Sequence, residues 1–194
     1  MAEITIYDGA IDKGLEGVVA CTTAVSFIVG NTLIYRGYTI EDLSAHSTFE
    51  ETTFLLWNNR LPNKSELESF TKELNTNMTL DPAFINVLKT LPTQGVHPMA
   101  WLRSAVSLMA HWDADASDIG TDANRRKAVR LTAKMGSIVT AFEAIRNNRE
   151  VLAPKAGKSI AWNFMYMLKG TEPDAELVKL FDTCLILHAD HELN

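Results

Sequence analysis

The spacing of apolar positions changes near residue 38. Before it, TTAVSFIV and TLIYRGY flank Gly30-Asn31, a two-residue turn signal, and predict a β-hairpin. After it, every segment reads as helix. Thr39 with Asp42 opens a short helix, and Thr48 opens TFEETTFLLWNN with Glu51 placed to close a capping box. Asn59 suits a left-handed C-cap. Pro62 and Asn63 start a segment in which Leu67, Phe70 and Leu74 share a face. Asp81-Pro82 starts another, with Phe84, Val87, Leu88 and Leu91 following. A helix rich in small residues is predicted over 98–112, and a longer one over 123–147 with Val129, Ala133, Gly136, Ser137, Thr140 and Ala144 on one side. The polar stretch NNREVLAPKAGKS breaks the pattern. Ser159 then opens IAWNFMYMLKG with Gly170 as C-cap, and Thr171 with Asp174 is expected to cap a last helix containing LVKLFDTCLILHADHE. The expected architecture is all-α, with about eight helices, divided into an N-terminal hairpin segment over 1–38 and a helical domain over 39–194.

Composition narrows the class. With 194 residues, the chain can form one domain with a real core, or a domain and a piece of another. Apolar residues make up 46%, charged residues 22%, and the net charge is −6, so nothing favours nucleic acid or an anionic membrane surface as a partner. MAEITIYDGAIDKG lacks the basic and apolar regions of a signal peptide, and no apolar run approaches the roughly 20 residues that span a bilayer. A cytoplasmic location is expected. Cys21 and Cys184 lie far apart among apolar neighbours and read as buried thiols rather than a disulfide.

The densest chemistry is LHADHELN at positions 187–194. On a helical wheel, Leu177, Leu180, Phe181, Cys184 and Leu187 form an apolar stripe that His188 and His191 continue. A helix persisting to the end would put both imidazoles on its buried side. Asp190 and Glu192 could then orient the imidazole N–H groups or raise their pKa. Three readings stay open on pattern alone: helix-end histidines favourable against the dipole, metal ligands, or groups that bind a substrate carbonyl or carboxylate. The spacing is not HExxH and offers too few ligands for a closed zinc site.

Five stretches in order resemble the citrate synthases: KGLEGVVACTTAVSFI, LIYRGYTIEDLSAHSTFEETTFLLWNNRLP, HPMAWLRSAVSLMAHWD, SIAWNFMYMLKGTEPD and HADHELN, together spanning Lys13 to Asn194. Asn59 stands where a glycine is common in the family, and the turn IVGNTL is shorter than in many members. The resemblance implies the family's large helical domain, cut before its smaller domain. It implies condensation of acetyl-CoA with oxaloacetate and water to citrate and CoA, with acetyl-CoA as substrate and no cofactor or metal. The family's catalytic histidine and aspartate, and several substrate-binding arginines, fall beyond this chain, which alone is expected to be inactive. His191 matches the position that hydrogen-bonds oxaloacetate. His188 matches the first histidine of the motif, and Asn194 occupies its next position. Family members are homodimers, and the helices 98–112 and 123–147 are the pairing candidates here. Without the rest of the family's fold, the chain is expected to expose apolar surface.

Two other readings remain. A 2-methylcitrate synthase, using propionyl-CoA, shares every landmark. A non-catalytic helical module for binding or assembly is the alternative of a different class. Among the remaining residues, Arg125, Arg126, Lys127 and Arg130 crowd the start of a helix, where cations oppose the dipole. They read as a solvated face with offsetting acids, or as an attractor for CoA phosphates. Arg36 reads as structural or as reaching a phosphate. Trp101 and Trp112 read as core or dimer-interface packing, and His97 as an ordering residue at a helix start. His46 and His111 have no informative neighbours.

Overall fold

The computed structural model describes residues 22–191. Cys21, Glu192 and Asn194 lie outside the described residues. Three antiparallel strands, β1 (Ser26–Val29), β2 (Thr32–Tyr35) and β3 (Tyr38–Thr39), form one sheet in chain order. Ser26 faces Tyr35 and Val29 faces Thr32 across the first turn, where Gly30 takes a φ of 62° that favours glycine. The short β3 was not anticipated. Its turn runs through Arg36 and Gly37, both at positive φ, as a type I′ two-residue hairpin loop requires. The guanidinium of Arg36 holds that conformation. It donates to the carbonyl of Leu56 at 3.0 and 3.2 Å and to that of Ala24 at 3.1 Å. Arg36 is therefore a structural brace.

Eight α-helices follow among the described residues: α1 (Ile40–His46), α2 (Phe49–Asn58), α3 (Lys64–Asn77), α4 (Pro82–Leu88), α5 (Pro98–Leu108), α6 (Thr121–Arg146), α7 (Ile160–Lys169) and α8 (Ala175–Leu187). Most starts are set by the expected side chains. Thr39, Asn63, Asp81 and Ser159 each accept from a backbone N–H of the first turn, and Asn63 with Glu66 completes a capping box. Asn59 (φ 60°) and Gly170 (φ 81°) end α2 and α7 in the left-handed region.

Four local expectations are corrected. Thr48 accepts from the Glu51 N–H, but the Glu51 carboxylate takes the Ser47 hydroxyl at 2.8 Å, so the box is only half formed. Asp174, not Thr171, caps α8, accepting from Glu176 and Leu177. The helix expected over 98–112 is α-helical only to Leu108 and tightens to a 3₁₀ turn over Met109–Trp112. The helix expected from residue 123 begins at Thr121.

With 26 residues, α6 is about 39 Å long and is the spine of the fold. It packs against α3, α5 and α7. One core gathers Phe54, Phe70, Leu74, Met78, Val129 and Ile160. A second gathers Phe84, Leu88, Trp101, Ile138 and Phe142, with Trp101 and Phe142 ring centroids 4.9 Å apart. Trp101 is thus core packing. A third core joins sheet and helices through Tyr35, Leu43, Leu55, Leu56 and Ile186. At the start of α6, Arg126 pairs with Asp115, and Arg130 pairs with both Asp113 and Asp115, each at 2.7 Å. The hydrogen bonds from Arg126 and then Arg130 hold the Asp115 carboxyl well below its usual range. These acids offset the cations as the surface reading expected, while Arg125 lies over the Trp57 ring.

Candidate functional site

The site is built where α8 ends against the sheet. The wheel carried the helix through His188 and His191, with both imidazoles buried. The structure ends α8 at Leu187, and both histidines are exposed. The buried face also differs from the expected stripe: Leu180 is 62% and Leu187 44% exposed, while Ile186 is fully buried. The last turn tightens, with the N–H groups of His188 and Ala189 reaching back three residues to Leu185 and Ile186.

Contacts from the hairpin explain the stop. The Asp190 N–H donates to the Tyr35 hydroxyl at 3.3 Å, and that hydroxyl lies 3.2 Å from the Asp190 carbonyl and 3.5 Å from that of Leu187. The Ser26 hydroxyl donates to the Asp190 carboxylate. These bonds fix the backbone on both sides of Asp190 in a non-helical turn. The Asp190 carboxylate, read as a group that could orient an imidazole, accepts from the Ser26 hydroxyl of the sheet. Tyr35 and Ser26 are fully buried, and burial, the largest cause, pushes the Tyr35 phenol above its ordinary pKa, so it stays protonated and able to donate.

His188 sits at the C-cap position of α8 with Nδ1 2.7 Å from the Cys184 carbonyl. A carbonyl only accepts, so Nδ1 carries the proton in this bond. His188 also lines a concave apolar groove of about 560 Å³. Phe49, Met135, Phe164, Phe181 and Leu185 line it between α2, α6, α7 and α8. Its floor is close-packed: a Cβ at Gly136 would lie 3.3 Å from the Phe164 ring, which stacks on Phe181 at 4.4 Å. His191 follows the turn directly.

Behind the groove, two carboxylates cap helices that are not their own. Asp182 on α8 accepts from the Phe49 N–H at the start of α2, 3.3 Å away. Glu50 on α2, itself buried, accepts from the Ile160 N–H at the start of α7, 2.8 Å away. Burial first, and the charge of Glu50 second, push the Asp182 carboxyl up to about 6. Cys184 is a free thiol. Among the described residues, no group of three or more His, Cys, Asp or Glu is placed to hold a metal ion. No described helix is long and apolar enough to cross a membrane.

The structure thus places His188 and His191 on one turn and roots that turn in the sheet. Sequence reasoning missed Ser26, Tyr35, Glu50 and Asp182. Their only signal was polarity within apolar surroundings, and their partners lie 110 to 164 residues away.

Comparison with known proteins now bears on this arrangement. A family model described as citrate synthase, C-terminal domain, matches residues 14–194. Citrate synthase 2 of Bacillus subtilis is 47% identical over 182 residues, covering 94% of this chain and 49% of that protein. A 2-methylcitrate synthase of Mycobacterium tuberculosis is 38% identical over 186 residues, covering 95% and 47%. The crystal structure of the Pyrobaculum aerophilum citrate synthase superposes with a TM-score of 0.85 at 36% identity, covering 94% of this chain and 48% of that one. The Thermoplasma acidophilum citrate synthase, solved as a ternary complex with carboxymethyl coenzyme A and oxaloacetate, gives a TM-score of 0.86 at 28% identity, covering 95% and 49%. The chain spans about half the length of the curated relatives it matches. Its sequence from residue 14 onward, and the helical fold that sequence adopts, place it in the citrate synthase family.

Proposed function

We propose that this chain is part of an acyltransferase that condenses acetyl-CoA with oxaloacetate and water, giving citrate and CoA and feeding the tricarboxylic acid cycle. The observation that carries this reading is the HADH turn, anchored to the sheet at the rim of an apolar groove, in a chain of this family. In this reading His191 hydrogen-bonds oxaloacetate, and His188 steadies the turn through its bond to Cys184. A base outside this chain takes a proton from the acetyl methyl group. The resulting enol carbon attacks the ketone carbon of oxaloacetate. An imidazole N–H of His191 donates to the ketone oxygen as negative charge develops on it. Water then cleaves the citryl thioester and releases CoA. In this reading the catalytic histidine and aspartate, and the small domain, come from outside these 194 residues, and the chain alone is expected to be inactive.

We further propose a cytoplasmic homodimer that pairs α5 and α6 across subunits. Its support is apolar surface left uncovered there. Met99 on α5 is 62% exposed, and Leu131 on α6 is more than a third exposed.

The test is thiol release by the complete natural polypeptide with acetyl-CoA and oxaloacetate, repeated with propionyl-CoA. A higher kcat/KM for acetyl-CoA supports the citrate synthase reading. A higher value for propionyl-CoA moves the assignment to the 2-methylcitrate synthases, the name that several relatives carry. No thiol release with either acyl-CoA leaves the non-catalytic helical module. Turnover by the 194-residue chain alone would refute this placement of the catalytic groups.

A further inference from the structure

We infer that Ser26 and Tyr35 are positioning residues that aim His191, acting through Asp190. The inference rests on the proposed role of His191 for its functional consequence, but its geometry stands apart from that role. Asp190 is held at three of its own atoms: the amide N–H and the carbonyl by the Tyr35 hydroxyl, and the carboxylate by the Ser26 hydroxyl. Residue 191 follows across a planar peptide bond, so few soft torsions separate the fixed Asp190 from the His191 imidazole.

Both anchors are rigid. Ser26 and Tyr35 are register partners on adjacent strands, both fully buried, and Tyr35 packs in the same core as Leu55 and Ile186. The Arg36 brace fixes the turn directly after Tyr35. The helix does not supply this precision, because α8 has already ended at Leu187. An exposed imidazole on an unanchored terminal turn would sample many directions, and a misplacement of about 1 Å can cost on the order of a hundredfold in rate. The two hydroxyls thus transfer the rigidity of the sheet to a side chain that must itself stay open to a ligand.

The experiment uses the complete natural polypeptide with Ser26→Ala, Tyr35→Phe and the hydroxyl-retaining Ser26→Thr. Two readouts are taken: amide hydrogen exchange over residues 188–191, and the kinetic constants for each substrate. In the Ala and Phe variants, exchange at Asp190 should accelerate by about tenfold or more relative to the rest of α8. In the same variants, kcat/KM for oxaloacetate should fall about ten- to a hundredfold. KM for the acyl-CoA should stay within about twofold, and Ser26→Thr should restore the oxaloacetate values. A general loss of structure would move both substrates together. If Tyr35→Phe does not fold, Ser26→Ala with its Thr counterpart carries the test. Unchanged Asp190 exchange and unchanged oxaloacetate kinetics in a folded Ser26→Ala variant would overturn the inference. If wild type condenses nothing, the functional reading fails by itself, and the exchange data still decide whether the two hydroxyls hold the turn.

Discussion

Two stretches of irregular backbone are tied down by polar side chains from distant helices and strands, and they are tied differently. The loop 151–159 between α6 and α7 is held by Asn75 and Asn163. The Asn163 amide bonds the Lys155 N–H at 2.7 Å and the carbonyls of Lys155 and Lys158 at 3.1 and 3.2 Å. Asn75 bonds the Gly157 N–H and both of those carbonyls. Those anchors occupy four of the loop's backbone groups, the N–H and carbonyl of Lys155, the Gly157 N–H and the Lys158 carbonyl. The turn 188–190 is held at Asp190 by the sheet and at His188 and Ala189 by the end of α8, and the side chains of both histidines remain exposed. The first arrangement seals a loop into the fold, whereas the second holds groups out of it.

The largest expected effect tests the sealed loop. Asn163 is fully buried, and Asn163→Leu removes three hydrogen bonds at once and takes from the Lys155 N–H its side-chain acceptor. A loss of about 3 kcal/mol is expected, or roughly 6–12 °C in Tm by circular dichroism. A loss no greater than that of Tyr35→Phe would erase the distinction between the two stretches.

A smaller effect concerns Asp182, which ties the body of α8 to α2 just before the histidine turn. Unfolded, its carboxyl titrates near 3.8; folded, it titrates near 6. The folded chain therefore binds this proton more tightly. The stability this group contributes is fully present below about pH 4 and is lost as pH rises through about 6. Asp182→Asn retains an oxygen for the Phe49 N–H but carries no charge. Because the site is only half-buried, solvent screens part of the cost. The variant should be more stable than wild type by about 1 kcal/mol at pH 7, with the difference vanishing near pH 4. Paired thermal melts across that range decide it, and a pH-independent difference would mean that the charge of Asp182 is not what matters.

The smallest effect is the control. Arg126 is half exposed beside Asp115. Arg126→Ala should shift Tm by less than about 2 °C, and by less still in high salt. A larger shift would show that surface pairs rival the buried anchors.

What could be read from the sequence was local. Thr39, Asn63, Asp81, Ser159, Asn59 and Gly170 end or begin helices because each acts within a few residues of itself. The wheel of α8 failed for the complementary reason. Periodicity shows that a helix has an apolar side, but which side is buried depends on its neighbours. Here Phe49, Phe164 and the hairpin draw in Phe181, Leu185 and Ile186 and leave Leu180 outward. The helix end was hidden because Ser26 and Tyr35 set it from the far end of the sequence. His188 and His191 were legible as a pair, and the resemblance supplied a role for them. The hydroxyls that root them were not, since serine and tyrosine in a short strand are ordinary residues until their partners are known.

The clamp also bears on how the chain is made. Tyr35 leaves the ribosome 155 residues ahead of the Asp190 it must hold. At roughly 5–20 residues per second, that is a wait of about 8–30 s. Meanwhile the strand Ser26–Val29 carries Phe27, Ile28 and Val29 on its surface even in the finished fold, and such a ribbon is a template for stray pairing. The nascent hairpin thus stands to gain from a chaperone, and the turn at Asp190 is what completes the hydrogen bonds of its Ser26 and Tyr35 hydroxyls.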